Sequence, residues 1–456
     1  MSTQDRNQSS KSSYSSPGVL VNMHVAPCYD VSRTRSVALL PQELVDHIID
    51  FLHDDKKTLA RCCLVNHMWL PSSRYHLFHS ISLSIRNHKD RSPTHSASKT
   101  LKRFTNFVSK HLYARRLIRS LSISKGQGSF SVSIHSSHLV ALVIALSRLQ
   151  TLSLKSVYLL GADPKDGISL LFQTQSCLRL DELRFEYGIF AASEDALFGA
   201  PFIDFLSAFS HIDKLCFLGN ASFRDRDTIA EIPDLPTKVK VATISAISFP
   251  LCFNGTINPY LLRTIDFASI RSLHTDMFTD LPSFAAYLRH PTLHLKHLHL
   301  NLRLRRSFLI PAFPNVGASL SQSGTAALEA FCVDVDGHDT CAKWDEFLEL
   351  ITTMLQRPLK RLELNMHLTY HVPLRRNAFA QNMALTSFRS LLERHRTLRR
   401  TIISFVTPEQ GWEWEYTVRE TLGYFKSEFA EMCERGRVVL NGSLLEDGHG
   451  PAKMHS

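Results

Sequence analysis

Apolar residues recur along this chain with two different periods. From Leu40 to Phe78 they fall at helical spacing, and from Ile118 onward a template of the form apolar-x-x-apolar-x-apolar returns about every thirty residues. Residues 1–36 follow neither period. They are rich in Ser with Asn, Gln and Arg, carry Pro17 and Pro27, and hold no apolar pattern that could offset the entropy of ordering, so they read as a disordered arm.

The helical stretch opens with Pro41, which suits a first helical turn because its missing N–H has no partner there. Leu44, Ile48 and Leu52 follow at i, i+4 and i+8, with Val45 and Ile49 on the neighbouring stripe, giving one apolar face. Asp54 and Asp55 break this helix. A second is expected from about Thr58, carrying Leu59, Cys62, Cys63, Val65 and Trp69 and stopped by Pro71; a third turn holds Tyr75, Leu77 and Phe78. Three short helices in fewer than 50 residues make a poor independent core, so the unit wants a partner. Residues 85–100 are polar and read as a connection.

The template occurs as Ile118/Leu121/Ile123, Leu149/Leu152/Leu154, Leu180/Leu183/Phe185, Ile212/Leu215/Phe217, Val241/Ile244/Ala246, Leu262/Ile265/Phe267, Leu295/Leu298/Leu300, Leu328/Phe331/Val333 and Leu359/Leu362/Leu364. Its intervals are 31, 31, 32, 29, 21, 33, 33 and 31 residues. Helical patterns lie between the copies, at His138–Ser147, Phe202–Phe209, Phe284–Leu288, Trp344–Leu355 and Phe388–His395. A strand-plus-helix unit buries its apolar face only by stacking on its neighbours. Val418, Leu422, Phe425, Phe429 and Met432 predict one further helix, closed by Gly436 and capping the stack, with a last strand at Val438–Leu440 and a flexible tail over 441–456.

Alternation along each strand makes a positional prediction. Residues between the core positions point to the open face: Lys155, Glu182, Arg184, Glu186, Asp266, His297, His299, Arg361 and Glu363. Their mixed charge suits a polar protein surface.

Leu40, Pro41, Glu43, Leu44, Ile48, Leu52, then Cys63, Leu64, Val65 and Trp69, then Arg74, Leu77 and Phe78 form a multi-point pattern at fixed spacing. It resembles the F-box, and in style the F-box-like family of mushroom-forming fungi; the template after it resembles a leucine-rich repeat. Most copies lack the Asn or Cys that turns the chain after the strand. The fold class expected is therefore α/β: a small all-α three-helix F-box over 37–84, then an irregular leucine-rich-repeat-like α/β solenoid with a C-terminal cap over 101–440. The resemblance implies docking through Leu40, Pro41, Leu44, Ile48, Leu52, Val65 and Trp69 onto a Skp-type adaptor, and through it onto a cullin scaffold, while the solenoid holds a target protein. It implies a substrate receptor of a ubiquitin ligase and no covalent chemistry by the chain itself.

Composition narrows this further. The chain has 456 residues and a formal net charge of +10, but its basic residues are spread out and not interleaved with aromatics, so the charge does not point to nucleic acid. No apolar run is long enough to span a membrane and no secretory pattern opens the chain, which places it in the cytoplasm, the nucleus or both. Nine cysteines without a C-x-x-C read as reduced. Gly126 and Gly128 read as a turn, the carboxylate pairs Asp181/Glu182 and Glu413/Glu415 as solvated surface, and Trp412 and Trp414 as packing of the cap. His294, His297 and His299 form the densest histidine group, but no third ligand stands near them in the sequence, so they read as a strand edge rather than a metal site. No catalytic residue and no cofactor is assigned. Two rival classes stay open: an F-box scaffold acting outside the ligase, and an enzyme whose site is assembled from distant residues.

Overall fold

Three short helices precede the first strand. The computed structural model describes residues 40–85, 93–126, 132–161, 178–186, 189–190, 205–218, 222–223, 243–249, 265–276, 288–302, 313–321, 323–336, 343–368, 385–407 and 412–444. The Ser-rich arm and the predicted tail beyond Leu444 lie outside them.

Pro41 precedes helix α1 (Gln42–Phe51), and α2 (Lys56–Val65) and α3 (Leu70–His79) come next. Asp55 does more than interrupt: its carboxylate accepts from the backbone N–H of Lys57 at 3.1 Å and of Thr58 at 3.0 Å, so it caps α2, which starts two residues before Thr58. Nor does Pro71 end the second helix. Asn66 is already extended, Trp69 occupies the N-cap position of α3 without a side-chain hydrogen bond, and Pro71 sits in the first turn, the one stretch where a missing N–H costs nothing. Val45, Ile49, Leu59 and Cys62 are the buried core of the three helices, with Leu52, Trp69 and Leu77 packed on it. No connection separates this unit from the sheet, because α3 runs straight into strand β1 (Ser80–Ile85).

The remaining strands are β2 (Ser120–Lys125), β3 (Val132–His135), β4 (Thr151–Lys155), β5 (Val157–Leu160), β6 (Leu178–Glu186), β7 (Ile189–Phe190), β8 (Phe209–Leu218), β9 (Ser222–Phe223), β10 (Thr243–Phe249), β11 (Ser272–Asp276), β12 (His297–Asn301), β13 (Ala330–Asp336), β14 (Arg361–His367), β15 (Arg400–Thr407) and β16 (Val438–Leu444). Twelve of them make one sheet in the order β1-β2-β4-β6-β8-β10-β11-β12-β13-β14-β15-β16, while β3 pairs with β5 and β7 with β9. Every pairing among the described strands is parallel. The fold is mixed α/β, and the strands of the twelve-stranded sheet lie side by side in the order in which they occur in the chain.

Further helices are α4 (Pro93–Lys110), α5 (Leu112–Leu117), α6 (Ser136–Ala145), α7 (Phe313–Leu320), α8 (Trp344–Leu355), α9 (Leu385–Arg394), α10 (Trp412–Glu428) and α11 (Ala430–Glu434). Their apolar residues share one buried cluster with alternate residues of the strands: Leu139 and Leu142, Phe347 and Ile351, Phe388 and Leu392, against Leu121, Leu152, Leu183, Leu215, Leu298, Phe331 and Leu362. Each fully buried Leu or Phe contributes about 1.5–3 kcal/mol. One side of the sheet is thus the core, and the outward positions from β1 to β14 are mostly polar, while Ile402 and Val439 make the outward row apolar at β15 and β16.

Four sequence expectations change. Residues 93–100 are the first turns of α4, not a connection, with Ala97, Leu101 and Val108 buried. The copy expected at Val241/Ile244/Ala246 moves by three residues: Ile244 pairs with Ile212 and Ile247 with Leu215, both are buried, and Ala246 turns outward because alternation favours the larger Ile247 inside. Leu262/Ile265/Phe267 is not a strand copy, since Phe267–Ser269 is a 3₁₀ turn and the strand lies at Ile270/Leu273/Thr275, a match hidden by its polar third position. Intervals of 32, 26 and 25 residues then replace 29, 21 and 33. Finally, the terminal helix divides at Phe429 into α10 and α11, and α10 packs beside β15 and β16 within the helix layer, so β16 rather than a helical cap ends the sheet. Gly436 does close α11, with φ 67° and the Arg437 N–H bonded to the Met432 carbonyl at 2.9 Å.

Candidate functional site

Helix α1 presents apolar residues on two faces. Val45 and Ile49 turn inward, while Leu40, Leu44, Ile48 and Phe51 face out, and Phe51 keeps 75 % of its surface exposed. The polar residues between them tie α1 to α3: Asp46 accepts from Gln42 Nε2 at 2.7 Å and from the Ser72 hydroxyl, and Asp50 meets His76 Nε2 at 2.7 Å. Those ties fix which side looks out. Leu64 and Val65 at the end of α2 are also exposed, Leu64 at 84 %. Of the residues expected to dock, Leu40, Pro41, Leu44, Ile48 and Val65 are exposed, whereas Leu52 and Trp69 pack on the small core. Phe51 and Leu64 are exposed as well, though neither was among the residues expected to dock: Leu64 entered only as part of the F-box pattern, and Phe51 lies off the single apolar face read for the first helix.

The second surface is the outward face of the sheet. Parallel pairing places Ser82, Ser122, Ser153, Arg184, Cys216, Ser248, His274, His299, Cys332 and Glu363 in one row across ten strands. Its character changes along the sheet, from small hydroxyls to charges to imidazole, thiol and carboxylate. Lys155, Glu182, Arg184, Glu186, His297, His299, Arg361 and Glu363 are all on strands of this face as expected. Asp266 is not: it precedes β11 and accepts from the Ala268 N–H at 3.1 Å, capping the 3₁₀ turn.

Two clusters stand out within the row. In the first, Arg184 lies 2.9 Å from Glu182 and 3.8 Å from Glu186; Lys155 reaches Glu186 at 3.4 Å and Lys214 reaches Glu182 at 3.9 Å. Burial raises the Glu182 carboxyl, and the Arg184 hydrogen bond and charge more than reverse this, holding it below the usual carboxylate range. The Cys216 thiol, which donates to Glu182 at 3.4 Å, is pushed up to about 12, chiefly by burial. These charges largely satisfy one another. Arg361 and Glu363 form a similar pair on β14.

In the second cluster His299, Cys332 and Asp334 bring their ligand-type atoms within 4.8 Å of one another. His299 Nε2 lies 3.0 Å from Asp334 Oδ1 but out of line, so this nitrogen lacks a well-formed hydrogen bond. His274 stacks on His299 with ring centroids 4.0 Å apart, and Asn365 Nδ2 donates to Asp334 at 2.7 Å. Burial, then the neighbouring His299, lowers His274 to about 4, keeping its ring neutral. Burial raises the Asp334 carboxyl, but the close approach of the His299 imidazole and its charge, together with the Asn365 hydrogen bond, outweigh it and hold the group below the usual carboxylate range. His294 precedes β12 and is exposed, apart from this group. The side chains that gather beside His299 thus come from the next repeat and not from its own strand. Cys332 and Asp334 flank the core residue Val333 at the outward positions that the template itself defines.

Among the described residues no helix is long and apolar enough to cross a membrane. No protein-family model matches the chain, and no curated protein matches it significantly.

Proposed function

We propose that the chain is a substrate receptor of a cullin-type ubiquitin ligase, working in the cytoplasm or nucleus, whose first three helices act as an F-box. The observation that carries this reading is the outward apolar stripe Leu40, Leu44, Ile48 and Phe51 with Leu64 and Val65, on a helical unit with a core of only four buried residues. Such a stripe suits an apolar groove on a Skp-type adaptor, the helix-in-groove mode of recognition. The sheet behind it acts as an irregular leucine-rich-repeat-like solenoid. Its polar outward face holds the target, and the chain contributes proximity between target lysine and ubiquitin rather than bond-making groups.

Leu44→Asp with Ile48→Asp should abolish co-purification with the adaptor, because an unpaired charge in a desolvated docking core costs at least about 2 kcal/mol, while the chain stays folded. Unchanged adaptor capture would remove the reading. Adaptor captured without cullin would move it to a scaffold role outside the ligase. For target capture, reversing Lys155 and Arg361 tests the face, since both remain about half exposed beside their carboxylate partners. Captured proteins should be lost while adaptor binding persists.

A further inference from the structure

We infer that His299, Cys332 and Asp334 bind one transition-metal ion of the zinc class on the outward face of the sheet. His299 on β12 and Cys332 on β13 are register partners, and Asp334 lies two residues further, hence on the same side. An imidazole nitrogen, the thiol sulfur and a carboxylate oxygen fall within 4.8 Å of one another. In a tetrahedral zinc site with bonds of about 2.0–2.3 Å, such atoms stand roughly 3.3–3.7 Å apart.

The donor set selects the class of ion. Nitrogen, sulfur and oxygen together suit zinc and its neighbours, whereas magnesium and calcium demand oxygen alone. The surroundings have the form of a supporting layer that orients metal ligands. Asn365 holds Asp334 at 2.7 Å and lies 3.5 Å from the Cys332 sulfur, His274 stacks on His299, and Glu363 is the register partner of Cys332 on β14. Without a cation, burial together with Asp334 and Glu363 keeps that thiol protonated. A divalent ion reverses the balance: a Cys332–metal bond replaces the S–H bond, the proton passes to solvent, and two positive charges meet the two negative charges of thiolate and Asp334. Side chains of His299 and Asp334 keep 13 % and 16 % of their surface exposed, which leaves an approach from the open face and a fourth position for water. Nothing in this assignment depends on the receptor reading.

The test uses the full chain, stripped with chelator and titrated with Co²⁺, then with Zn²⁺ in competition. The expected result is one Co²⁺ per chain with a thiolate-to-cobalt charge-transfer band, bleached by Zn²⁺, and a thermal transition raised by Zn²⁺. Cys332→Ser should lose the band, and His299→Gln and Asp334→Asn should each weaken Co²⁺ binding at least about tenfold, while His294→Ala changes nothing. If Cys332→Ser does not fold, the Asp334→Asn and His299→Gln affinities decide. No band in folded wild-type protein overturns the proposal, and so does a band that persists in Cys332→Ser, since it would come from another cysteine.

Discussion

Gly324 and Gly442 show how a single hydrogen in place of a side chain lets elements meet. A Cβ on Gly324 would stand 2.5 Å from the Leu288 carbonyl oxygen and 2.9 Å from Leu293 Cδ2, and the backbone oxygen cannot yield. Gly324→Ala should lower stability by about 1–3 kcal/mol, read as a lower urea midpoint. At Gly442 the intruding atoms are Leu422 Cδ1 at 2.6 Å and Val418 Cγ1 at 2.9 Å, ends of side chains that can turn, so Gly442→Ala should cost less. Arg184 was expected to meet a target. Bound between Glu182 and Glu186, it acts as internal glue, and Arg184→Glu would gather three carboxylates and depress the thermal transition of the chain by itself. The pair also sets a pH dependence. Glu182 titrates lower in the folded chain than in the unfolded one, so its contribution is complete above the unfolded value near 4.3 and is lost as pH falls through the folded value. Glu182→Gln should therefore lower the urea midpoint at pH 7 and flatten its fall between about pH 5 and pH 3.

At the scale of elements, α1 separates packing from display. Ile49 is fully buried and Ile48 is not. Ile49→Ala should cost about 2–5 kcal/mol and open residues 40–79 to limited proteolysis, whereas Ile48→Asp should leave the digestion pattern unchanged. Helical period made this helix legible in the sequence, as it did α8, found over Trp344–Leu355 as expected. Which apolar stripe faces out was not legible, because a helix with two apolar stripes gives no sign of which one its neighbours cover. Several strands with three apolar template positions were legible, as at Leu149/Leu152/Leu154, although β10, with Ile244, Ile247 and Phe249, was read three residues too early because Val241/Ile244/Ala246 fits the same template. Others were lost where a polar residue holds a core position: Thr275 in β11, and Thr401 in β15, only 1 % exposed between Leu362 and Val438.

For the molecule as a whole, burial is shared between successive units, and the last one covers its predecessor. Phe388 meets Phe429 with ring centroids 5.8 Å apart and Phe405 meets Phe425 at 4.9 Å, so α10, α11 and β16 shield apolar surface that belongs to β15 and α9. Truncation after Thr407 would uncover those rings and the edge of β15 together. It should yield an aggregating chain that binds a hydrophobic dye, measured against full-length protein by light scattering and fluorescence.

What the sequence determined by itself is local and periodic: where α1 and α8 run, and that Leu121, Leu152, Leu183 and Leu215 turn inward while Arg184 and His299 turn out. Alternation along a strand and 3.6-residue helical turns need no knowledge of neighbours. Tertiary structure decided what those outward residues meet. His299 stands beside Cys332, thirty-three residues on, only because β12 and β13 pair in parallel in one register, and a slip of a single residue would turn the thiol to the core. The same pairing moved the strand from Phe267 to Leu273 and left Asp266 capping a turn. Pairing and burial are collective choices of the folded chain, made at distances that no local pattern spans.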